Sequence, residues 1–450
     1  MSKTELLRRY LILGVSLFII AVMLFFVPAT VWGQATMKRT MKLNEIFMFA
    51  DSCSRRIRAS EAAAKTANES MRVSKNALLP DVKFDAMATY NSNAWVSDRN
   101  FKNGQTFSSP HFGNSFSLEV SQVIFAGGAI ANKIKASQIE YTIAKLEARG
   151  ERQQVRFLLT GYYLDLYKSL NLLTVYEKNI EQTREVIAVM KAKVDAGIAL
   201  ENDITRYEVQ LQNLLYKKTE LQGRASIYNS HLVLALGLPE GTEIVPDSSM
   251  LDWERKRYTE SELQSMATLN SPTLERSQLM IGLGQKRQKI ARAGYMPKLS
   301  LVAADKLSGP ITYEIPTLNN NINVWYVGMR LGYDIGSLYK TPKETAKEKQ
   351  VVCQTEEQYA ATQEQVTMDV KEAYTDYENA FVLLRTQEKS LQLATENRTV
   401  IFKQYLNGLV LIIDLLDADD LKLSAEIQET NAQINIIYNY YKLLYVTGTL

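Results

Sequence analysis

The 450-residue chain is 46% hydrophobic and 22% charged, with a formal net charge of +3. That length can bury a large core or several smaller ones, while so small a charge, without a basic cluster, does not imply an anionic membrane surface or nucleic acid as a partner, and no nucleic acid is expected. Two cysteines, Cys53 and Cys353, are too few for a disulfide framework and are expected as buried free thiols.

The start has the parts of an export signal. Lys3, Arg8 and Arg9 precede an apolar run from Leu11 to Val27, and the small residues Ala29, Gly33 and Ala35 follow. Residues 1–35 therefore read as a signal peptide cut after Gly33 or Ala35. The run is long for a signal, so a retained anchor is the alternative. No cysteine stands near the cut, and no lipid anchor is expected.

A first unit spans residues 36–236. Leu43, Ile46, Phe47 and Ala50 recur at helical spacing, which predicts a helix from Met41 to Leu79 ended by Pro80. The period then becomes two. Val82, Phe84, Ala86, Ala88 and Tyr90 alternate with polar residues, predicting a strand over 80–90; Phe116, Leu118 and Val120 predict another over 115–124. A loop rich in Asn, Ser and Gly joins them, and Phe125-Ala126-Gly127-Gly128 turns the chain into a long helix. From Val155 to Val194, and again from Leu200 to Ala235, apolar positions follow at alternating spacings of four and three, the seam of a coiled coil. Gly197 falls where the pattern breaks, as a helix-ending glycine should. The prediction is a long antiparallel hairpin with its tip at 195–202.

Residues 237–258, with Pro239, Gly241 and Pro246, read as a connector. A second unit, 259–450, repeats the plan: a helix over Leu263–Ala293 whose start Pro272 leaves open, strands over 298–305 and 323–334, and a hairpin with its tip at 406–413. Adding 211 carries Tyr163 to Tyr374, Asp165 to Asp376, Gly197 to Gly408, Asp203 to Asp414 and Gly237 to Gly448 without a gap. The chain is a tandem duplication.

The lengths fit together. A helix from Gly128 to Ala196 is roughly 100 Å long at 1.5 Å per residue, so the two shorter helices of each half can stack end to end beside it. Strands of roughly 10 residues with one apolar face suit an outer membrane. Four are too few to close a barrel, and edges cannot stay open in lipid, so an oligomer is expected.

These features together resemble the TolC-type outer-membrane efflux family. The resemblance covers everything after the signal peptide and rests on Leu79-Pro80, Met296-Pro297, Phe125-Ala126-Gly127-Gly128, Asp195-Ala196-Gly197-Ile198 and Leu406-Asn407-Gly408-Leu409. The run from Gly408 to Ala418 is its strongest part. It implies a mainly α fold with a small β part. In a homotrimer, four strands per chain would form one twelve-stranded barrel in outer-membrane lipid, and twelve helices would continue it as a periplasmic tunnel. Such a protein is an exit duct of a tripartite efflux or type I secretion system. An inner-membrane pump supplies the energy, and a periplasmic adaptor docks on the tips, here Gly197, Ile198, Gly408 and Leu409.

The family's paired acids at the periplasmic mouth map to Asp414 and Asp417, one turn apart on one helix face. A solvated acidic helix start is the plainer reading of the same residues. Its latch of a tyrosine and an acid maps to Tyr405 and Asp203. The family's latch arginine is here Val410, so the ionic part must come from elsewhere, with Lys403 and Arg206 as candidates.

No enzyme is expected, and no cofactor or metal. His111 and His231, the only histidines, have no partner at ligand spacing, and Gly282-Leu283-Gly284 lacks the third glycine of a dinucleotide loop. The rival reading is a periplasmic coiled-coil scaffold or adaptor anchored by its N-terminus. An adaptor normally carries one hairpin; this chain carries two.

Overall fold

The computed structural model describes residues 37–251, 256–315 and 317–450; the expected signal peptide lies outside them. After strand β1 (Met37–Met41), the single helix expected over Met41–Leu79 is two, α1 (Leu43–Cys53) and α2 (Arg55–Lys75). Ser54 between them is extended, with ψ of 123°. No proline marks that break. Strands β2 (Asp81–Tyr90) and β5 (Phe112–Phe125) follow, with a small hairpin, β3 (Ala94–Val96) and β4 (Gln105–Phe107), inside the loop between them.

The first long hairpin is α3 (Ala129–Asp195, 67 residues) and α4 (Glu201–Leu236). Strand β6 (Thr242–Pro246) then pairs in parallel with β1, a contact that the expected connector did not foretell. Tyr163 of α3 pins this pair: its buried hydroxyl donates to the Met41 carbonyl at 2.8 Å and accepts from the Asp247 N–H at 3.0 Å. Burial pushes its pKa up to about 12. The second half runs α5 (Glu260–Asn270), α6 (Pro272–Arg292), β7 (Lys298–Gly309), β8 (Ile322–Gly332), α7 (Ser337–Leu406) and α8 (Ile412–Val446). The one helix expected over Leu263–Ala293, with its start left open, is two, α5 and α6; Pro272 takes the first position of α6 and the Ser271 hydroxyl accepts the Leu274 N–H.

Helix α3 is central. It packs against α4 along the predicted seam and also against α2, α6 and α8, while α7 packs against α6 and α8. Leu159, Leu166, Ile180, Ile187 and Met190 of the seam are buried, facing Tyr207, Leu214 and Leu232 of α4 among others. A second buried stripe, including Thr160, Leu164, Tyr167 and Asn179, answers the further partners. Side by side, the helices run α4, α3, α8, α7 towards the tips and α2, α3, α6, α7 towards the sheet. The two flanks stay uncovered. Val209, Tyr216, Ile227 and Leu234 stand exposed on α4, and Met368, Val382, Leu393 and Val400 on α7.

The four longer strands form one antiparallel sheet in the order β2-β5-β7-β8, so β5 against β7 joins the two halves. Its register sets Val82, Val120, Ala303 and Val327 in one row, with Phe84, Leu118, Asp305 and Trp325 in the next. The other face is polar, with Lys83, Asp85, Glu119 and Lys306, and Lys306 pairs with Glu119 at 3.6 Å. A register shift between Val123 and Phe125 swings Phe125 onto the apolar face opposite Leu299. Among the described residues nothing pairs with the outer edges of β2 and β8 in the protomer. Both cysteines are exposed in it, which corrects the buried-thiol expectation: each sits on an outward helix face, Cys53 at the end of α1 and Cys353 on the flank helix α7.

Candidate functional site: the hairpin tips

The two tips are built alike. At Gly197 φ is +72°, the Gly197 N–H reaches the Val194 carbonyl at 2.8 Å, and the Ile198 N–H reaches Lys193 at 3.0 Å. At Gly408 φ is +74°, the Gly408 N–H reaches Tyr405 at 3.1 Å, and the Leu409 N–H reaches Gln404 at 3.0 Å. This is the Schellman ending, which satisfies carbonyls a helix would leave orphaned and requires a left-handed residue. A Cβ added at either glycine would meet nothing within 4 Å, so the need for glycine comes from the backbone angle and not from crowding. Ile198 and Leu409, next in sequence, are 71% and 73% exposed.

Behind the turns all four long helices share one core: Val186, Ile187 and Met190 of α3, Ile204 and Tyr207 of α4, Tyr405 of α7, and Ile412 and Leu415 of α8. Val410 packs against it. The position expected to hold an arginine is thus part of an apolar cluster. Lys403 and Arg206, the two candidates to replace it, are exposed and form no ion pair among the described residues.

Tyr405 is buried, and its pKa is raised by that burial and by the nearby Asp203 carboxylate. Proximity is all the two share. The Tyr405 hydroxyl has no hydrogen-bond partner among the described residues. What grips Tyr405 is Lys193 of the other hairpin: its ammonium donates to the Tyr405 carbonyl at 2.8 Å and the Leu406 carbonyl at 3.2 Å, and lies 4.3 Å from the centre of the Tyr405 ring. A cation there also faces the negative end of α7.

The acidic run at the start of α8 divides. Asp414 and Asp417 are both exposed. The Asp414 carboxylate accepts the Leu411 N–H at 2.9 Å, closing the first turn of the helix. Asp419 turns inward, where the Arg398 guanidinium meets it at 2.8 Å and the fully buried Tyr207 hydroxyl donates to it at 3.0 Å. One carboxylate therefore ties α4, α7 and α8. Burial, with Asp419 beside it, drives the Tyr207 pKa well above its ordinary value. Asp420 accepts from Gln210 at 2.6 Å, and its pKa is raised by burial and then by Asp419 and Asp417. The sequence flagged the acids but not their three-helix partners, because Tyr207 and Arg398 are remote from Asp419 in number and carry no motif.

A model of the outer membrane efflux protein family matches residues 50–238 and 263–449, one match in each half. The chain belongs to the outer membrane efflux protein family. Among curated proteins, this efflux protein is similar to the outer membrane efflux protein BepC of Brucella suis, at 17% identity over 424 residues, 93% of this chain and 87% of that one. Among solved structures it resembles the outer membrane protein VceC of Vibrio cholerae, with a TM-score of 0.76 at 14% identity over 90% of this chain and 96% of that one. It also resembles the Campylobacter jejuni CmeC outer membrane channel, with a TM-score of 0.74 at 15% identity over 90% and 85%. The efflux protein is an exit duct of the outer membrane, with its helical part in the periplasm. That sets aside the scaffold or adaptor reading. The family is one of ducts and not an enzyme class.

Proposed function

We propose that three copies assemble head to tail into one passive duct, fed by an inner-membrane pump through a periplasmic adaptor that docks on the tips at Gly197, Ile198, Gly408 and Leu409. The observation that carries this reading is that, among the described residues, the two open edges of the four-stranded sheet and the apolar stripes of α4 and α7 fall on two flanks. One flank holds β2, α2 and α4; the other holds β8 and α7. The edge of β8 on one copy can continue the sheet at β2 of the next, and the apolar stripe of α7 can cover that of α4. Unlike surfaces joined this way build a ring. Three copies of a four-stranded sheet supply twelve strands, and lipid permits no open edge. No helix among the described residues is long and apolar enough to cross a membrane, so in this reading the sheet does the spanning.

In the ring the three tip pairs converge, and Asp414 and Asp417 from each copy line the mouth as six carboxylates, a site for cations. Nothing in this scheme calls for catalysis or a cofactor. Light scattering of the detergent-solubilised protein tests the assembly. Three chains of 51.0 kDa give a particle of about 150 kDa of polypeptide, and a stable monomer would sink the proposal.

A further inference from the structure

We infer that Lys193 is the pin that holds the mouth shut, binding the second hairpin tip to the first through its main chain; the inference rests on the proposed role of the tips as the mouth. Lys193 sits in the last turn of α3, where its own carbonyl takes part in the Gly197 turn. Its side chain leaves that helix and ends on another, reaching the Tyr405 and Leu406 carbonyls and the Tyr405 ring. Three contacts on one ammonium fix both the height and the rotation of the end of α7 relative to α3. The Tyr405 hydroxyl plays no part in the grip.

The arrangement is one-sided. The repeat counterpart of Lys193 is Gln404, which carries no charge and belongs to the tip being held. Tip two is therefore tethered by tip one, and among the described residues no lysine of tip two reaches the carbonyls of tip one in return. Because two of the three acceptors are main-chain carbonyls at a helix end, they persist under substitution at 405 and 406, and those two depend on the cation alone. Among the described residues no carboxylate pairs with Lys193, so it is not diverted from those carbonyls. Moving the second tip away from the axis breaks these contacts and unpacks Tyr405 from the shared core, while the Arg398–Asp419 pair, about two turns deeper, stays within the second hairpin.

Single-channel conductance in planar bilayers tests this. Lys193→Met keeps length and packing but removes the charge, and should raise the conductance severalfold while light scattering still finds a trimer. Lys193→Arg, which keeps a cation able to reach two carbonyls, should conduct like the parent. An assembled Lys193→Met trimer with parental conductance would overturn the pin, as would an Arg variant as open as the Met variant. Block by a trivalent cation reads the mouth separately. If the double change Asp414→Asn with Asp417→Asn loses the block while Lys193→Met leaves conductance unchanged, the pin fails and the mouth stands; if that block is undiminished, the mouth reading fails itself.

Discussion

Glu388 opposes Glu429 across the second hairpin at the two positions where, in the first, Glu177 and Lys218 form an ion pair at 2.9 Å. The duplication has kept the place and reversed one charge. Burial, and then the Glu388 carboxylate, raise the Glu429 pKa above its ordinary 4.5, although Gln433 donates a hydrogen bond to it. A carboxyl whose folded pKa is raised penalises the fold above that pKa, and the penalty fades as pH falls towards the unfolded value. Glu429→Gln should therefore raise the unfolding temperature at pH 7, with the gain vanishing near pH 4. Glu429→Lys, which rebuilds the pair of the first hairpin, should stabilise at pH 7 by up to about 1 kcal/mol, the range of a surface pair. A gain for Gln that is equal at both pH values would mean that the like-charge pair is not its source.

The tip glycines separate backbone demand from space. With φ above +70° at both and open surroundings, Gly408→Val should strain the turn by about 1–2 kcal/mol without a clash. The trimer should survive and efflux should fall, whereas Gly408→Asn, which tolerates left-handed angles, should keep most of it. Drug-susceptibility assays in a strain lacking its own duct would decide; equal efflux in all three would remove the tips as the docking surface.

In the proposed ring, six carboxylates at the mouth should make the parental channel small in conductance, cation-selective and open to block by millimolar trivalent ions from the periplasmic side. Because Asp414 also caps α8, Asp414→Ala should cost that helix about 1 kcal/mol, so Asn is the cleaner replacement. In the double Asn variant both selectivity and block should weaken. Asp419 offers no reserve there, since Arg398 and Tyr207 already hold it.

That three-helix junction makes its own prediction. Tyr207→Phe removes one donor and should loosen the tip by about 1 kcal/mol, while Arg398→Met strips a half-buried carboxylate of its charge partner and should cost roughly 1–3 kcal/mol. Hydrogen exchange across residues 400–420 gives the local opening energy, and the reverse order of the two variants would mean that Arg398 acts elsewhere.

How much of this was legible depended on whether a residue speaks through its neighbours in sequence. The seam from Val155 to Val194, the tip glycines and the alternating strands are local periodicities, and the 211-residue offset needed only comparison of the chain with itself. Ser54 carries no breaker, so the split between α1 and α2 was hidden. Pro272 marked only an uncertain helix start where the counterpart break lies. The β1–β6 pair joins Met37 to Thr242, and Lys193 meets Tyr405 across 212 positions. Contacts of that reach leave no period behind. Asp414 and Asp417 were placed by resemblance, and the geometry adds that only Asp414 has a local structural duty.

The pairing of β5 with β7 bears on how the chain matures. Asn114 lies opposite Gly309, so the central seam of the sheet closes over 195 residues, whereas α3 and α4 meet across a turn of a few. Loop closure is slow for distant partners and fast for near ones. Each helical hairpin should thus be formed while the β2–β5 and β7–β8 pairs, whose strands are close in sequence, are still unjoined, apolar on one side and in need of shelter on the way to the membrane. Pulsed labelling during refolding into detergent should protect α3 and α4 before the amides that bond β5 to β7, leaving the joining of the lipid-facing part to be completed last.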